Sequence, residues 1–306
     1  MELAAPLYAK IRGKNKAEPS LLDGLLHRGF PVHQAYKALA ATGWSSLQSA
    51  EEWLREHKRD PSLEDPIPQE YVLYLIPSGP LGTCLQEFWK ESLRVSGKNR
   101  AHSSFPHITL CHYFTCEDRK IEGLYKALQM AGENSSFPQT VSLSLYSSAS
   151  FIGFFINKDQ AGAIRSFVEA FCSLASTHAD CSIRLVSREF HLTLAHKFSP
   201  HLQGTLECLA KSICPTQNCV WEATLYSRDM RFVHYQTLRA VFPFSPVNED
   251  ELTLRQEDYV FVDPSQIPHS PQGWLMAVSQ RTGSWGLVPE NYLERTSETV
   301  TWIQHR

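Results

Sequence analysis

The spacing of hydrophobic and polar residues changes twice along the chain. Between residues 19 and 58, apolar positions recur at helical intervals in three short segments, which predicts a three-helix bundle. Residues 69–236 alternate short β-prone runs with amphipathic helical stretches, which is typical of an α+β domain. Residues 237–295 contain several short β segments, which indicates a small β-barrel. The pattern therefore predicts a multidomain chain.

Capping residues set limits for the helices of the predicted bundle. Ser20, with Asp23 three residues later, predicts the start of the first helix, and Gly29 predicts its end. Pro31 suits the first turn of the second helix. The third helix is predicted to begin at Ser49, which forms a capping box with a glutamate three residues on.

The remaining segments are predicted to lack regular structure. Residues 1–18 are polar and rich in Lys, which is typical of a disordered lead-in. Residues 59–68 hold three prolines and four charged residues and cannot continue a helix, so they are predicted to form a semi-rigid linker. Residues 296–306 are polar and are predicted to form an extended tail.

The strand and helix patterns of the first half of residues 69–236 recur in its second half. An internal duplication of this kind implies two related lobes in one α+β domain. The predicted strands are 71–76, 141–145, 151–156, 183–186 and 220–226, and the predicted helices lie around 85–93, 124–130, 161–176 and 202–213.

The most informative pattern is a motif that occurs twice in this region. Residues 105–110 read Phe-Pro-His-Ile-Thr-Leu, and residues 189–194 read Glu-Phe-His-Leu-Thr-Leu. In a strand, alternate side chains share a face, so each His and Thr would point one way and the aliphatic residues the other. Two such strands about a pseudo-twofold axis would place two imidazoles and two hydroxyls in one cleft. The candidate catalytic residues are His107, Thr109, His191 and Thr193.

This set of groups suits the hydrolysis of a phosphodiester. One group must take a proton from the attacking water and another must give a proton to the leaving oxygen, and histidine titrates close enough to neutrality for both. The threonine hydroxyls can donate hydrogen bonds to the phosphoryl oxygens. We assign His191 as the general base and His107 as the general acid. The mechanism requires no metal, and no cofactor is predicted.

Composition narrows the setting. With 306 residues, 42% of them apolar, and a net charge of −3, the chain has no general attraction to nucleic acid or membranes. No signal peptide and no membrane-length apolar run are recognisable, so we expect a cytoplasmic, and in part nuclear, protein. Eight cysteines without regular spacing favour reduced thiols. Cys111, His112 and Cys116 have no second ligand pair nearby, so a zinc site is not predicted.

The doubled motif resembles the signature of the 2H phosphoesterase superfamily, which is named for two His-x-[Ser/Thr]-x motifs. The resemblance implies a bilobal fold with the motif residues in a central cleft, and activity on 2′,3′-cyclic nucleotides or related RNA ends. His112 and His196 neighbour the motifs and are interpreted as polar strand-end residues. The alternative is a catalytically silent domain that serves as a spacer or a ligand-binding unit.

Residues 19–58 resemble a ubiquitin-associated (UBA) domain, with Gly29-Phe30 in the first loop and Leu54 in the third helix. The resemblance implies that these three residues form an apolar patch that binds ubiquitin or ubiquitinated proteins. Members of that family carry Met before the glycine, whereas this chain has the charged Arg28. The alternative is that Phe30 and Leu54 only close the core of the bundle.

Residues 237–295 resemble an SH3 domain. Ala240-x-Phe242-x-Phe244 stands where that family has Ala-Leu-Tyr-Asp-Tyr, and the stretch from 286 to 292 matches its terminal signature. An aromatic groove of this kind accepts a polyproline II helix, and an acidic loop pairs with a flanking basic residue of the ligand. The resemblance implies a groove lined by Phe242, Phe244, Trp274, Pro289 and Tyr292, with Glu249, Asp250 and Glu251 selecting a basic ligand.

The order of these three units resembles the ubiquitin-associated and SH3 domain-containing protein family, and residues 65–68 and 227–232 look most similar to its A-type members. The resemblance implies an adaptor that damps T-cell receptor and other tyrosine-kinase signalling, with Pro-rich partners such as Cbl-type ubiquitin ligases. Family members continue into a histidine phosphatase domain, through which we would expect oligomers. Its Arg-His-Gly-Glu motif does not occur in this sequence. Two hypotheses stay open, an adaptor with an added 2H activity or a phosphoesterase that its flanking domains deliver.

Overall fold

A computed structural model describes residues 20–65, 69–138, 140–215, 219–296 and 302–305. The predicted lead-in, 1–18, and linker residues 66–68 lie outside this part. The helices are α1 (Leu21–His27), α2 (Val32–Ala41), α3 (Leu47–Glu56), α4 (Gly79–Ser96), α5 (Ile121–Glu133), α6 (Lys158–Ala179) and α7 (Gln203–Lys211). The strands are β1 (Gln69–Ser78), β2 (Ile108–Thr109), β3 (Phe114–Cys116), β4 (Leu143–Ser147), β5 (Phe151–Ile156), β6 (His191–His196), β7 (Val220–Asp229), β8 (Gln236–Ala240), β9 (Tyr259–Val262), β10 (Trp274–Ser279), β11 (Trp285–Pro289), β12 (Leu293–Arg295) and β13 (Ile303–Gln304).

The N-terminal unit is a bundle of α1, α2 and α3 around buried leucines and alanines. The Ser20 hydroxyl accepts a hydrogen bond from the Asp23 amide, and the Asp23 carboxylate accepts one from Ser20, so α1 starts as predicted. The start predicted for α3 is wrong by two residues. Ser46 caps this helix by accepting from the Ser49 amide, so α3 already begins at Leu47.

The central unit is built on an antiparallel eight-stranded sheet with the order β13-β7-β1-β2-β6-β5-β4, in which β3 also pairs with β1. Without β3 and β13, the strand order is symmetrical about the junction of β2 and β6. Strand β1 beside β2 then corresponds to β5 beside β6, and β7 at one edge corresponds to β4 at the other. Each half of the duplicated sequence therefore contributes its last strand to the opposite lobe. This exchange ties two α+β lobes into one sheet.

Strand alternation gives the sheet one covered face and one cleft face. Leu73, Ile108 and Leu192 point to the face on which α4 to α7 pack, and none of the three is exposed. The residues that alternate with them along each strand, among them Tyr74 and His107, lie on the other face. None of the helices in the described ranges is both long enough and apolar enough to cross a membrane.

The strand predicted at residues 183–186 is wrong. Only Leu185 pairs there, in an isolated bridge to Cys111 just beyond the end of β2, so the segment has no neighbour with which to form a ladder. The other predicted strands and helices of the central unit are present, β5 with the predicted limits and the others with at least one shifted end. Strand β1, for example, continues through Pro77, which pairs with Trp221.

The C-terminal barrel is a five-stranded sheet with the order β11-β10-β9-β8-β12. Its core holds Ala240, Val260, Ala277 and Val288, each no more than 1% exposed. The first β segment lies earlier than the motif suggested, because β8 ends at Ala240 and the residues after it lead into the acidic loop.

The predicted linker is an ordered junction in its first half. It contains a 3₁₀ helix, Pro61–Glu64, and the side chain of Asp60 is completely buried. Arg231, which follows β7, donates to the Asp60 carboxylate over 3.2 Å and to the Ser62 hydroxyl. Gly283 of the barrel packs on the same carboxylate, because a β-carbon there would lie 2.2 Å from Asp60 Oδ2. Asp60 therefore joins the bundle, the central sheet and the barrel.

The predicted extended tail returns to the central sheet. Strand β13 pairs with β7, with Ile303 opposite Ser227. His305 is 1% exposed, and its ring nitrogens lie 2.6 Å from the Tyr125 hydroxyl and 2.7 Å from the Ser227 hydroxyl. The barrel is thus inserted between two neighbouring strands of the central sheet.

Candidate functional site

The two His-x-Thr segments lie side by side at the centre of the sheet. Strands β2 and β6 are antiparallel, with Ile108 opposite Leu192. Continuing this register by one residue places His107 opposite Thr193 and Thr109 opposite His191, all on the cleft face. Diagonal neighbours in such a ladder are roughly 7–8 Å apart. The geometry therefore brings the four predicted catalytic residues into one group, with the imidazoles at opposite corners.

The same local hydrogen bond fixes both imidazoles. Nδ1 of His107 lies 2.7 Å from the carbonyl oxygen of Phe105, and Nδ1 of His191 lies 2.8 Å from that of Glu189. A carbonyl can only accept, so Nδ1 carries the proton in each ring. In the neutral tautomer Nε2 then has a free lone pair. This duplicated contact sets both rings for proton transfer through Nε2.

Aromatic rings enclose both histidines. The ring centroid of Tyr74 lies 4.1 Å from that of His107, and the centroid of Phe105 lies 5.1 Å from it. On the other side Phe155 stacks against His191 with centroids 5.2 Å apart. These rings reduce access of water to the imidazoles and offer flat apolar surface to a ligand. In the described part of the chain, no group of three or more His, Cys, Asp or Glu is placed to hold a metal ion.

The pKa of His107 is lowered to about 4, mainly by burial and to a smaller extent by the nearby His191. The hydrogen bond to the Phe105 carbonyl acts in the opposite direction and raises this pKa. At neutral pH His107 is therefore unprotonated and can accept a proton. Its hydrogen bond is partly buried, whereas that of His191 is exposed. These features favour His107 as the base and His191 as the acid, the reverse of the assignment from sequence.

A β-bulge places a third histidine on the cleft face. Gly153 pairs with Thr193 and Ile152 with Ala195, so β6 carries one extra residue at this point. After the bulge, His196 lies opposite Phe151 instead of pointing into the core. His196 is the last residue of β6, as interpreted from the sequence, although strict alternation from the motif would have put it on the covered face.

Part of the predicted ubiquitin patch is buried. Leu54 is only 4% exposed and packs in the core of the bundle, so its prediction as a surface contact is wrong. Gly29 is exposed and Phe30 is half-buried, as a docking loop requires. Val32, which the sequence analysis did not single out, is 53% exposed beside them. Arg28 pairs with Glu51 of α3 and gives the patch a polar edge.

The aromatic residues of the predicted SH3 groove lie together. Ring centroids are 5.7 Å apart for Phe242 and Tyr292, 5.9 Å for Phe244 and Tyr292, and 5.8 Å for Phe244 and Trp274. Phe242 is 56% exposed, whereas Pro289 is buried. The rings form a continuous, partly open apolar strip.

The acidic loop divides its carboxylates between two tasks. Glu249 and Asp250 are exposed and free to meet a basic ligand. The Glu251 carboxylate accepts hydrogen bonds from the amides of Val247 and Asn248 and from the Asn248 side chain, and these bonds lower its pKa. Glu251 thus holds the loop in shape, and its contact with a basic ligand stays a prediction.

Comparisons with known proteins match both ends of the chain. A UBA-like domain model matches residues 18–65, and a variant SH3 domain model matches residues 240–294. Among solved structures, the SH3 domain of yeast NBP2 is 34% identical, covering 20% of this chain and 98% of that one, with a TM-score of 0.18.

Relatives align with nearly the whole chain. Mouse (Mus musculus) ubiquitin-associated and SH3 domain-containing protein A is 57% identical over 98% of this chain and 49% of that protein. Mouse protein B is 43% identical over 94% of this chain and 45% of that protein. The ecdysteroid-phosphate phosphatase of Bombyx mori is 36% identical over 94% of this chain and 44% of that protein. The chain spans about half the length of these curated relatives.

The fold and the comparisons define a class of protein in which an α+β domain joins a UBA-like bundle to an SH3 barrel. The chain belongs to the family of ubiquitin-associated and SH3 domain-containing proteins, as the order of its units predicted. The A-type resemblance is also confirmed, since identity with mouse protein A is 57% and with mouse protein B 43%.

Proposed function

We propose that this chain is a cytoplasmic signalling adaptor whose central domain is a 2H phosphoesterase that hydrolyses 2′,3′-cyclic nucleotides or related phosphodiesters. The observation that carries this proposal is the pairing of two His-x-Thr strands about a pseudo-twofold axis. Each imidazole is fixed through Nδ1 and keeps Nε2 for proton transfer. The exchange of last strands between the lobes supports a duplicated bilobal enzyme domain.

In the proposed reaction, Nε2 of His107 takes a proton from water as the water oxygen attacks phosphorus. The bond between phosphorus and one ribose oxygen breaks, and protonated His191 gives its proton to that oxygen. Thr109 and Thr193 donate hydrogen bonds to the phosphoryl oxygens, where negative charge grows. A well-placed acid or base typically contributes about 10²- to 10⁴-fold, and a hydrogen-bond donor at the developing charge about 10²- to 10³-fold.

The direct experiment is turnover of 2′,3′-cyclic AMP by the whole chain. We expect His107→Ala and His191→Ala each to lower kcat by about 10²-fold or more. His112→Ala is the matched control, because His112 is exposed and lies outside the group of four. Equal product from the wild type and both histidine variants would overturn the proposed catalytic roles.

The name of the silkworm relative concerns the hydrolysis of a phosphate ester, and this chain aligns with 44% of that protein. The similarity to this relative thus favours the broader class of phosphatase-type activities. Within that class we favour a diester for this chain, because paired histidines with separate acid and base tasks suit a poor leaving oxygen. A parallel assay with 4-nitrophenyl phosphate distinguishes the two, since the proposal expects cyclic-diester turnover to depend more strongly on His191.

For the bundle we propose binding to ubiquitin or ubiquitinated proteins through Gly29, Phe30 and Val32. The exposed apolar side chain of Val32 takes the place of the buried Leu54 in this patch. Titration of isotope-labelled ubiquitin should give shifts that Phe30→Ala and Val32→Asp weaken. Gln48→Ala, on the exposed side of α3, should leave them unchanged. A titration without shifts at millimolar ubiquitin would contradict the proposal.

For the barrel we propose binding to Pro-rich signalling proteins, including Cbl-type ubiquitin ligases, with Glu249 and Asp250 receiving a basic ligand residue. Linking such proteins to ubiquitinated cargo is how the chain would damp T-cell receptor and other tyrosine-kinase signalling. Trp274→Ala should abolish binding of an Arg-containing Pro-rich peptide. Glu251→Gln should act differently, lowering barrel stability through the loop. Unchanged binding by Trp274→Ala would contradict the assignment of the groove.

The alternative function is a catalytically silent scaffold in which the central unit only positions the two docking modules. The junction at Asp60 favours it, because bundle, sheet and barrel meet there in a fixed arrangement. Absence of turnover on cyclic and linear phosphodiesters, together with intact ubiquitin and peptide binding, would establish this alternative.

A further inference from the structure

The cleft is unequal at its two ends. Beside His191, the rings of Tyr146, Phe151 and Phe155 form an aromatic platform, with Tyr146 52% exposed. Gly153 lies opposite Tyr146 in the ladder and has no side chain to cover the platform. An exposed aromatic surface next to two catalytic histidines provides a place on which a nucleobase can stack.

Beyond the platform the cleft becomes basic. The ring of Phe151 lies between two imidazoles, with its centroid 5.5 Å from that of His191 and 6.1 Å from that of His196. The bulge in β6 is what turns His196 to this face. Lys197 follows it with a positive φ of 54° and is exposed.

A loop from the other lobe adds a second positive charge. The amide of His196 donates to Asn99 Oδ1 over 3.3 Å, which holds this loop against the end of β6. Asn99 is 6% exposed and also accepts from the amide of Ala101, so its position is fixed on both sides. Arg100, between these two residues, is exposed, and its charge acts on His196.

The charges that reach His196 are positive. Burial first, and then Arg100, Lys197 and His191, lower the pKa of its imidazole. None of the charged groups that act on this imidazole in the described part of the chain is acidic, and neighbouring positive charges favour the binding of an anion at this end of the cleft. The scissile phosphate would lie between His107 and His191. His196 is three residues beyond Thr193, roughly 10 Å or less along the strand. The basic end is therefore a separate position from the reaction centre.

We propose that His196, Arg100 and Lys197 form a subsite for a second phosphate of the substrate. This inference rests on the proposed function and narrows its substrate class. The preferred substrate is a 2′,3′-cyclic nucleotide that carries a further phosphate on its 5′ oxygen, with the base on the aromatic platform. Such a phosphate occurs as a terminal monoester in a mononucleotide and as an internal diester at the 3′ end of an oligonucleotide.

The test compares three substrates on the whole chain: adenosine 2′,3′-cyclic phosphate, its 5′-phosphorylated form, and the dinucleotide ApA with a terminal cyclic phosphate. We expect kcat/KM to be about tenfold or more higher for at least one of the two phosphate-bearing substrates, because charge-assisted hydrogen bonds to phosphate are among the stronger ones. The substrate with the higher kcat/KM shows whether the subsite prefers the terminal monoester of a mononucleotide or the internal diester of an oligonucleotide.

Variants connect this preference to the subsite. Arg100→Ala and His196→Gln should reduce the ratio of kcat/KM values between phosphate-bearing and plain substrate to near unity. Arg94→Ala removes the same charge from an exposed position on α4, where Arg94 pairs with Glu91, and should leave the ratio as in the wild type. Equal kcat/KM values for all three substrates, or a ratio unaffected by Arg100→Ala, would overturn the subsite while leaving the proposed function standing.

A failure of the proposed function gives a different result. If none of the substrates is turned over, calorimetric titration with adenosine 2′,5′-bisphosphate and adenosine 2′-monophosphate tests for the subsite without any need for turnover. Tighter binding of the bisphosphate to the wild type, lost in Arg100→Ala, supports a second phosphate position. Equal affinities would refute it.

Discussion

His107 and His191 differ in their surroundings although their local hydrogen bonds are the same. The buried ring of His107 is neutral at neutral pH, which fits a general base. A base with a pKa of about 4 is active above that pH, whereas an acid with this pKa would be active only below it. The pH dependence of the rate therefore separates the two assignments.

We predict that kcat/KM for 2′,3′-cyclic AMP rises as pH increases through about 4, as His107 loses its proton, and that the protein is active at pH 7. The measurement is kcat/KM in the free-enzyme regime across pH 3–9, with protein integrity checked at each pH. If activity instead declines above pH 4 and is absent at pH 7, His107 is the acid and the assignment from the sequence is right.

Gly153 lies on the cleft side of β5 at a position with no room for a side chain. A β-carbon there would lie 2.6 Å from the Leu192 carbonyl oxygen and 2.8 Å from the ring of Phe151. We predict that Gly153→Ala lowers the unfolding free energy by about 1–3 kcal/mol, because the strand and the ring must both shift. It should also lower kcat/KM, since Phe151 contacts two cleft histidines.

A matched control for this change is Gly162→Ala in α6, where an added β-carbon meets nothing within 4 Å. Helix propensity predicts a gain of about 0.5–1 kcal/mol there. Urea unfolding and turnover measured on both variants provide the comparison. Equal effects of the two changes would contradict the role given to close packing at Gly153.

The motif residues could be predicted from sequence because period-two alternation and duplication both act locally. The burial of Leu54, the loop hydrogen bonds of Glu251 and the face of His196 could not, since each depends on a feature that local patterns do not encode. Leu54 is buried by the way the three helices close, Glu251 is occupied by amides of its own loop, and His196 changes face at a bulge. The roles of the four motif residues stay predictions until turnover is measured.

Among the elements, the contact between the bundle and the central unit carries unusual charges. Lys37 of α2 is 8% exposed and donates to the carbonyl oxygens of Ser62 and Asp65. Near it, Oδ1 of Asp118 is buried and has no hydrogen-bond partner among the described residues. Burial raises the pKa of Asp118 to about 7, which the positive charge of Lys37 opposes.

A raised pKa implies that Asp118 favours the folded state when protonated. This contribution is complete below its unfolded value of 3.8 and is lost as pH rises through about 7. We predict that Asp118→Asn becomes progressively more stable relative to the wild type between pH 4 and pH 7. The difference should grow by no more than about 1.4 kcal/mol per unit of pKa shift.

Urea unfolding at several pH values measures this difference. Asp159→Asn, in the exposed first turn of α6, serves as the control for the loss of a surface carboxylate. A constant difference between Asp118→Asn and the wild type across pH 4–8 would show that the carboxyl does not change its protonation on folding in this range.

Elements with strong local signals could be predicted from sequence, and those defined by distant partners could not. Strand β5 matches its prediction because its apolar run is bounded by polar residues. Residues 183–186 have similar β-prone residues but lie beyond the end of their neighbour, so only Leu185 pairs. Strand β13 is the opposite case, since two residues, Ile303 and Gln304, are too short a run to predict a strand, and they form one only by pairing with β7.

At the scale of the whole molecule, Asp60 and Arg231 hold the three units together. The Asp60 side chain is fully buried and that of Arg231 is 21% exposed. We predict that Arg231→Ala lowers the unfolding free energy by about 3 kcal/mol, because it leaves a buried carboxylate without its cation. It should also enlarge the radius of gyration in solution scattering, as the barrel is freed from the junction.

Arg55→Ala is the control for the loss of a charge in an exposed pair, because Arg55 is 68% exposed and pairs with Glu51. Its effect should stay within about 0.5 kcal/mol and leave the scattering curve unchanged. A scattering curve for Arg231→Ala identical to that of the wild type would mean that other contacts hold the arrangement by themselves.

The entry and exit of the barrel lie next to each other, since Leu238 pairs with Arg295 and the Thr296 amide donates to the Thr237 carbonyl. An inserted module with adjoining ends can be exchanged without moving the strands on either side of it. Grafting a different SH3 sequence between Gln236 and Thr296, with the glycine that faces Asp60 retained, should therefore change the peptide preference of the barrel while the central sheet stays intact.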